Sequence, residues 1–151
     1  MKMLVLSIAL LVSVNALAGP YTEPEPDLGP TQVVSIQLEA LKRNDEPIAD
    51  SGIEQTWAFA HPANRQATGP LPRFTRMLKS TTYQPLLGHR SHDIELLERN
   101  SRKARFLVTV QTADSRAVRY EWTVERVAGG EYDGCWMTTG VSAPEALGPI
   151  I

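Results

Sequence analysis

Cysteine is nearly missing from this chain of 151 residues, which has one, Cys135. A single cysteine excludes an intramolecular disulfide, so the fold must be held by the packing of its core. Cys135 lies in the segment GCWMTTG, residues 134–140, and no lysine, arginine or histidine adjoins it. Because a reactive thiol needs a nearby cation or a helix N-terminus to lower its pKa, we expect a buried, inert thiol. A functional thiol is the alternative.

An excess of basic residues is missing as well, since 15 Lys and Arg residues stand against 17 Asp and Glu residues. A general nucleic-acid binder carries a strong positive charge, so we expect no nucleic-acid partner. The segment AGGEYDG, residues 128–134, contains glycines, but neither a predicted helix nor a lysine follows it. It therefore does not match a phosphate-binding loop, and we expect no cofactor.

One long apolar run is present, over residues 4–14, between Lys2 and the small residues of Ala16-Leu17-Ala18. A cationic start, a short apolar segment and small residues are typical of a secretory signal peptide. The run is too short to cross a bilayer as a helix, which needs roughly 20 residues. We therefore predict a signal peptide over residues 1–18, cleavage near Ala18, and export to the periplasm or secretion. No stable membrane insertion is expected after cleavage.

The rest of the chain divides into a leader, one domain and a tail. Residues 19–30 are rich in proline and acidic residues, which predicts an extended, solvated leader. Residues 31–141 have the length of one domain. Residues 142–151 are interpreted as a poorly ordered C-terminal tail.

Apolar residues recur at helical spacing three times in the first half of the domain. Thr31 is expected to cap the first helix, and Asp50 or Ser51 the second. Pro72 falls in the first turn of the third, where its missing N–H costs nothing. The segment HPANRQATGP, residues 61–70, is predicted to break the second helix. The predicted helices cover residues 31–44, 52–61 and 71–80.

The second half of the domain changes to the alternating pattern of strands. Val118, Tyr120, Trp122 and Val124 share one face of the clearest strand, with polar residues between them. Short connections require antiparallel pairing. The sequence therefore predicts an α+β fold, with N-terminal helices packed on a curved antiparallel sheet of about four strands. The predicted strands lie within residues 92–100, 102–114, 116–127 and 135–141.

Two segments carry a resemblance to a known family. GPLPRFTRMLKSTTYQPLLGHR, residues 69–90, and YDGCWMTTGV, residues 132–141, resemble the bacterial domain of unknown function 4864, and the resemblance extends over residues 33–141. That family is similar to the nuclear-transport-factor-2-like, cystatin-like α+β superfamily. The resemblance implies a cone of helices wrapped by a bent sheet, with a pocket at its open end. It implies no catalytic residue, and such a fold alone does not determine function.

Aromatic residues give the best indication of a pocket inside such a cone. Trp57 from a helix would meet Tyr120 and Trp122 from a strand, beside residues 106–110. An apolar wall with few polar groups is typical of a small-molecule site, although an ordinary core has the same composition. Arg73 and Arg76 could hold an anionic group at the mouth, or be surface residues.

His89 and His92, with Asp93 adjacent, are the candidates for a metal site. Residues three apart on a strand point to opposite sides. We therefore expect no metal here, and a solvated entrance to a strand instead. Ser91 lies between the histidines, but no nucleophile elbow surrounds it.

Two classes of function follow from these residues. We favour an exported, non-catalytic small-molecule-binding or accessory module, whose ligand would be small and apolar or anionic. The alternative is an isomerase or dehydratase-type enzyme, which needs a positioned acid–base pair in the pocket. His61 and Asp50, near the second helix, are the nearest candidates for such a pair. A homodimer is left open.

Cleavage near Ala18 should leave a mature protein that begins at Gly19, because small residues precede the cleavage point. Intact-mass measurement on protein purified from its native host checks this. Recovery of soluble cytoplasmic protein that retains Met1 would contradict it.

Overall fold

A computed structural model describes residues 21–149 of the chain. The predicted signal peptide lies outside the described residues, as do the start of the leader and the last two residues of the tail. Among the described helices, none has the combination of length and apolarity that crossing a membrane requires.

The first half of the domain is helical, as predicted, but contains one more helix. α1 (Pro30–Lys42), α2 (Ser51–Ala58) and α4 (Leu71–Leu78) confirm the three predicted helices. α3 (Pro62–Thr68) occupies the segment predicted as a break. The predicted break is confirmed, because α2 ends at Ala58, but the helix within that segment was not predicted. Pro62 opens it, at a position where its fixed backbone angle is favourable. A short 3₁₀ helix (Gln84–Leu86) follows α4.

The predicted cap of α1 was wrong, and that of α2 was right in position only. Gly29, and not Thr31, is the residue before α1, and its N–H donates to the Gln32 side-chain oxygen at 2.8 Å. Asp50 precedes α2 in a left-handed conformation and makes no capping bond to it. The Asn44 side-chain oxygen accepts instead from the Ile53 N–H, at 3.0 Å. The start of α2 is therefore capped from the chain that leaves α1.

The sheet follows the helices and confirms the α+β prediction. Its strands are β1 (Ser91–Arg99), β2 (Lys103–Gln111), β3 (Arg116–Arg126), β4 (Trp136–Val141) and β5 (Glu145–Pro149). The first four are adjacent in chain order, and every pair is antiparallel. The sheet is curved and is not closed into a barrel.

β5 lies in the segment that was predicted as a poorly ordered tail. It pairs with residues 116–119 of β3, while β4 pairs with residues 122–126 of the same strand. β4 and β5 thus share one edge of β3, which is the longest strand. The tail interpretation missed this because residues 145–149 do not alternate between apolar and polar side chains.

The predicted inward face of the sheet is buried against the helices. Val118, Tyr120, Trp122 and Val124 of β3 are all at most 3% exposed. The apolar face of α1 lies against them in the same core. Full burial of one such aliphatic or aromatic side chain stabilises the fold by about 1.5–3 kcal/mol. The buried face of α1 comprises Val33, Val34, Leu38 and Leu41.

The described part of the leader is bonded to α2, although half of its residues are exposed. The Thr22 N–H donates to the Gln55 side-chain oxygen at 2.7 Å, and the Gln55 amide donates back to the Thr22 carbonyl at 2.7 Å. Gln55 is itself buried in α2. Its amide therefore pairs with the leader backbone in the way that a neighbouring strand would.

Helices α1 and α2 approach so closely that only glycine fits at position 52. A Cβ at Gly52 would lie 2.8 Å from the Asn44 Cα and closer still to the Ala40 carbonyl. These are backbone atoms, which cannot turn away as a flexible side chain can. The contact between α1 and α2 therefore depends on the missing side chain.

Gly52→Ala should lower the free energy of unfolding by about 1–3 kcal/mol or more, because overpacking forces the two helices apart. Urea unfolding of the purified variant measures this. Gly140→Ala is the matched control, since a Cβ there meets no atom within 4 Å. Equal stability of the two variants would contradict the close helix contact.

Candidate functional site

A cavity of about 200 Å³ lies between the helices and the β3–β4 end of the sheet. α4 and the 3₁₀ helix form one wall, and α1 with the β3–β4 pair forms the opposite one. Its apolar lining comes mainly from Phe74, Met77, Leu78, Leu86 and Trp122. Its polar lining comes from Gln37, Thr56, Asn64, Thr68, Tyr83 and Thr138.

A buried hydrogen-bond network joins α1 to the sheet at this cavity. The Gln37 side-chain oxygen accepts from the Trp122 indole N–H at 3.0 Å and from the Thr138 hydroxyl at 2.5 Å. The indole N–H also lies 3.2 Å from the Thr138 hydroxyl oxygen. Gln37 and Trp122 are 1% exposed and Thr138 is 3% exposed. Each polar atom of the trio therefore has the partner that burial requires.

Two further contacts hold the network in place. The Gln37 amide donates to the Thr56 carbonyl at 3.1 Å, which connects α1 to α2. The Asn64 amide donates to the Thr138 carbonyl at 3.1 Å, which connects α3 to β4. Ala60 forms an isolated parallel bridge with Thr138. Five elements, α1, α2, α3, β3 and β4, thus converge on the polar side of the cavity.

Tyr83 forms the opposite rim. Its hydroxyl donates to the Val141 carbonyl at 2.9 Å, and burial raises its pKa above the ordinary value. Its ring stacks on that of Tyr120, with centroids 6.2 Å apart. The polar groups around the cavity are therefore amides, hydroxyls and one indole, which are neutral at physiological pH.

The structure does not bring the predicted aromatic set together around this cavity. Trp122 lines it. Tyr120 is buried behind Tyr83, with its hydroxyl donating to the Thr82 carbonyl at 2.9 Å. Trp57 is half-buried and packs on Phe74, with ring centroids 5.0 Å apart. Phe74 thus lies between Trp57 and the cavity.

Arg73 and Arg76 are exposed on α4. Neither is among the lining residues of the cavity, and residues 106–110 contribute none either. The inward residues of that strand belong to the core instead. The hypothesis that these arginines hold an anionic ligand at the mouth stays a prediction.

Sequence reasoning missed Gln37 and Thr138, although Gln37 interrupts an apolar pattern. Gln37 falls on the apolar face of α1, between Val34 and Leu41. A polar residue at a buried helical position needs a partner inside the protein, and that is the signal that could have identified it. Thr138 gave no such signal, because threonine is ordinary in a strand.

Cys135 is buried, as predicted. It is 3% exposed and packs with Val127, Met137 and Tyr132 in a small second core. Burial raises the pKa of its thiol, and the Asp133 carboxylate raises it further. The thiol therefore stays protonated near neutral pH, which disfavours nucleophilic chemistry.

The histidine prediction was wrong in its geometry. His89 Nε2 lies 2.7 Å from His92 Nδ1, so the two rings face each other. The expectation of opposite sides assumed one strand, but β1 begins only at Ser91. Gly88, with φ of 65°, turns the chain just before His89. Across residues 21–149, no three His, Cys, Asp or Glu side chains are grouped so as to hold a metal ion.

Comparisons with known proteins identify no relative: no family model, no curated protein and no solved structure matches the chain. The resemblance to the domain of unknown function 4864 and to the nuclear-transport-factor-2-like superfamily therefore stays a prediction.

Gln37→Leu should lower the free energy of unfolding by about 1–3 kcal/mol for each polar group that loses its partner. The group concerned is the Thr138 hydroxyl, whose hydrogen loses its acceptor. The Trp122 N–H keeps the Thr138 oxygen, and the Thr56 carbonyl keeps the Phe59 N–H. Urea unfolding measures the loss. Gln66→Leu, on the exposed side of α3, is the control and should change stability by about 0.5 kcal/mol or less. Similar losses in both variants would contradict a stabilising network.

Proposed function

We propose that the protein is an exported, non-catalytic binding module whose cavity takes a small, mostly apolar molecule with one polar group. The observation that carries this proposal is the buried Gln37–Trp122–Thr138 network in the lining of the cavity. A concave apolar wall with few fixed polar groups is the usual form of a small-molecule site. Export rests on the signal-peptide pattern of residues 1–18.

The size of the cavity limits the ligand. A volume of about 200 Å³ is below the roughly 300–1,000 Å³ of sites for drug-sized molecules. It exceeds the roughly 150 Å³ of an apolar protein cavity that binds benzene. One six-membered ring with a short substituent therefore matches the available space.

The network supplies the polar contact for such a ligand. A primary amide has two N–H donors, and Gln37 gives one of them to the Thr56 carbonyl. We assign the second to an acceptor on the ligand, with the Thr138 hydroxyl beside it. Because the Gln37 oxygen is already held by two donors, the amide is fixed in orientation before a ligand arrives. This reduces the entropy lost on binding.

The acid–base candidates for the alternative, an isomerase or dehydratase-type enzyme, lie elsewhere in the described fold. The Asp50 carboxylate accepts from the Lys79 ammonium group at 2.7 Å. His61 caps α3, with its Nδ1 accepting from the Ala63 N–H at 3.1 Å. Both side chains are thus engaged outside the cavity lining. This supports binding over proton transfer as the function of the cavity.

Benzyl alcohol should bind more tightly than toluene, because only the alcohol offers an oxygen to Gln37 and Thr138. Each ligand should change tryptophan fluorescence through Trp122 and raise the melting temperature. Thr138→Val keeps the shape but removes the hydroxyl, and should reduce the preference for the alcohol several-fold. Thr123→Val, half-buried on β3 away from the lining, is the matched control.

Failure of both ligands to change fluorescence or melting temperature, up to their solubility limits, would contradict the proposal. Benzoate tests the anionic version separately. If Arg73 and Arg76 hold an anion, benzoate should bind more tightly than benzyl alcohol. Arg73→Ala and Arg76→Ala should then weaken only benzoate.

A further inference from the structure

The two facing histidines belong to a longer chain of polar contacts outside the cavity. His89 Nδ1 lies 2.7 Å from the Leu86 carbonyl oxygen, and His89 Nε2 lies 2.7 Å from His92 Nδ1. His92 Nε2 lies 3.7 Å from a carboxylate oxygen of Glu39 on α1. His89 is 1% exposed, and the His92 side chain is 11% exposed. This series of polar contacts therefore runs from the 3₁₀ helix through β1 to α1, and its two histidines are largely shielded from solvent.

Two neutral imidazoles carry two hydrogens. One lies on His89 Nδ1, because the Leu86 carbonyl can only accept, and the other lies on His92 Nδ1, which donates to His89 Nε2. His92 Nε2 then carries no hydrogen and faces the Glu39 carboxylate at 3.7 Å, beyond hydrogen-bond distance. A third hydrogen on this nitrogen would turn the contact with Glu39 into an ion pair.

We propose that His89 and His92 form one proton-binding site, which takes up a single proton and holds it between the Leu86 carbonyl and the Glu39 carboxylate. With that proton, both hydrogen bonds keep one donor and one acceptor, and His92 and Glu39 form an ion pair. A second proton would place two N–H groups against each other at the 2.7 Å contact. The pair therefore binds one proton where two separate histidines would bind two.

The surrounding charges determine the pH at which uptake occurs. Burial lowers the pKa of both rings, and Lys42 of α1 lowers it as well. Glu39 raises the pKa of both, and Asp93 of β1 raises that of His92. Arg43 shares the Glu39 carboxylate at 3.5 Å, while the neighbour of His92 on β2 is the uncharged Val110. Uptake is therefore expected below the ordinary histidine pKa of about 6.5.

The site also makes folding depend on pH with a defined slope. Below the midpoint of uptake, the unfolded chain holds two protons on these residues and the folded chain holds one. From that pH downward the folding equilibrium constant should fall about tenfold per pH unit from this pair, whereas two histidines that stay neutral in the folded chain would give about a hundredfold. Because Leu86 lines the cavity and is bonded to His89, the His92–Glu39 ion pair would link a wall of the cavity to α1.

Nitrogen-15 NMR of histidine-labelled protein, titrated from about pH 8 to about pH 4.5 around the ordinary pKa, tests the site without a ligand. His89 and His92 should change with one common midpoint and a total uptake of one proton. His61, the third histidine of the chain, should titrate separately and serves as the internal reference. Two full, separate protonations of His89 and His92 would overturn the proposal. So would no uptake before the amide spectrum shows unfolding.

Glu39→Gln tests the acceptor end of the chain. It removes the carboxylate charge and should lower the common midpoint by roughly half a pH unit or more. The Glu39 side chain is 45% exposed, so the variant should stay folded. Glu54→Gln, on the exposed side of α2, is the matched control and should leave the midpoint unchanged. An unchanged midpoint in Glu39→Gln would overturn the assignment of Glu39.

Discussion

The hydrogen bonds of the buried Gln37 amide determine how the helical layer lies on the sheet. It lies on the apolar face of α1 and accepts hydrogen bonds from both Trp122 of β3 and Thr138 of β4. Apolar contacts alone would let the helix slide or rotate over the sheet, since the hydrophobic effect has no direction. A buried amide with several required partners fixes one register.

Several backbone N–H and C=O groups that have no partner within their own helix or strand form hydrogen bonds with side chains from elsewhere in the fold. Asn44 caps α2, Asn64 donates to β4, and Gln55 pairs with the leader. Arg65 extends this pattern: its guanidinium donates to the carbonyls of Trp57 and Ala58 and lies over the Trp57 ring. Asparagine, glutamine and arginine side chains thus supply hydrogen-bond partners to backbone groups that longer helices or strands would pair with one another.

The sequence predicted regular elements better than it predicted contacts between them. Periodicity identified α1 and the inward face of β3. Burial of one face makes apolar residues recur about every 3.6 residues in a helix and every 2 residues in a strand. It failed for α3 and β5, which are short and carry little apolar pattern. The sequence predicted a pocket with an apolar wall, but Trp122 is the one candidate residue that lines the cavity of the described fold. Gln37 meets Thr138, and Tyr83 reaches the Val141 carbonyl, through tertiary contacts that local spacing does not encode.

The shared edge of β3 has a consequence for the order in which the sheet can form. β4 covers only residues 122–126 of β3, and β5 covers residues 116–119. β2 pairs with residues 117–119 on the other edge of β3, so only the edge that faces β5 lacks a partner until β5, the last described element, has paired. Until then an open strand edge faces solvent, and such an edge is a template for pairing with another chain. A chain that unfolds partially from its C-terminal end would therefore expose a self-association surface before it loses its core.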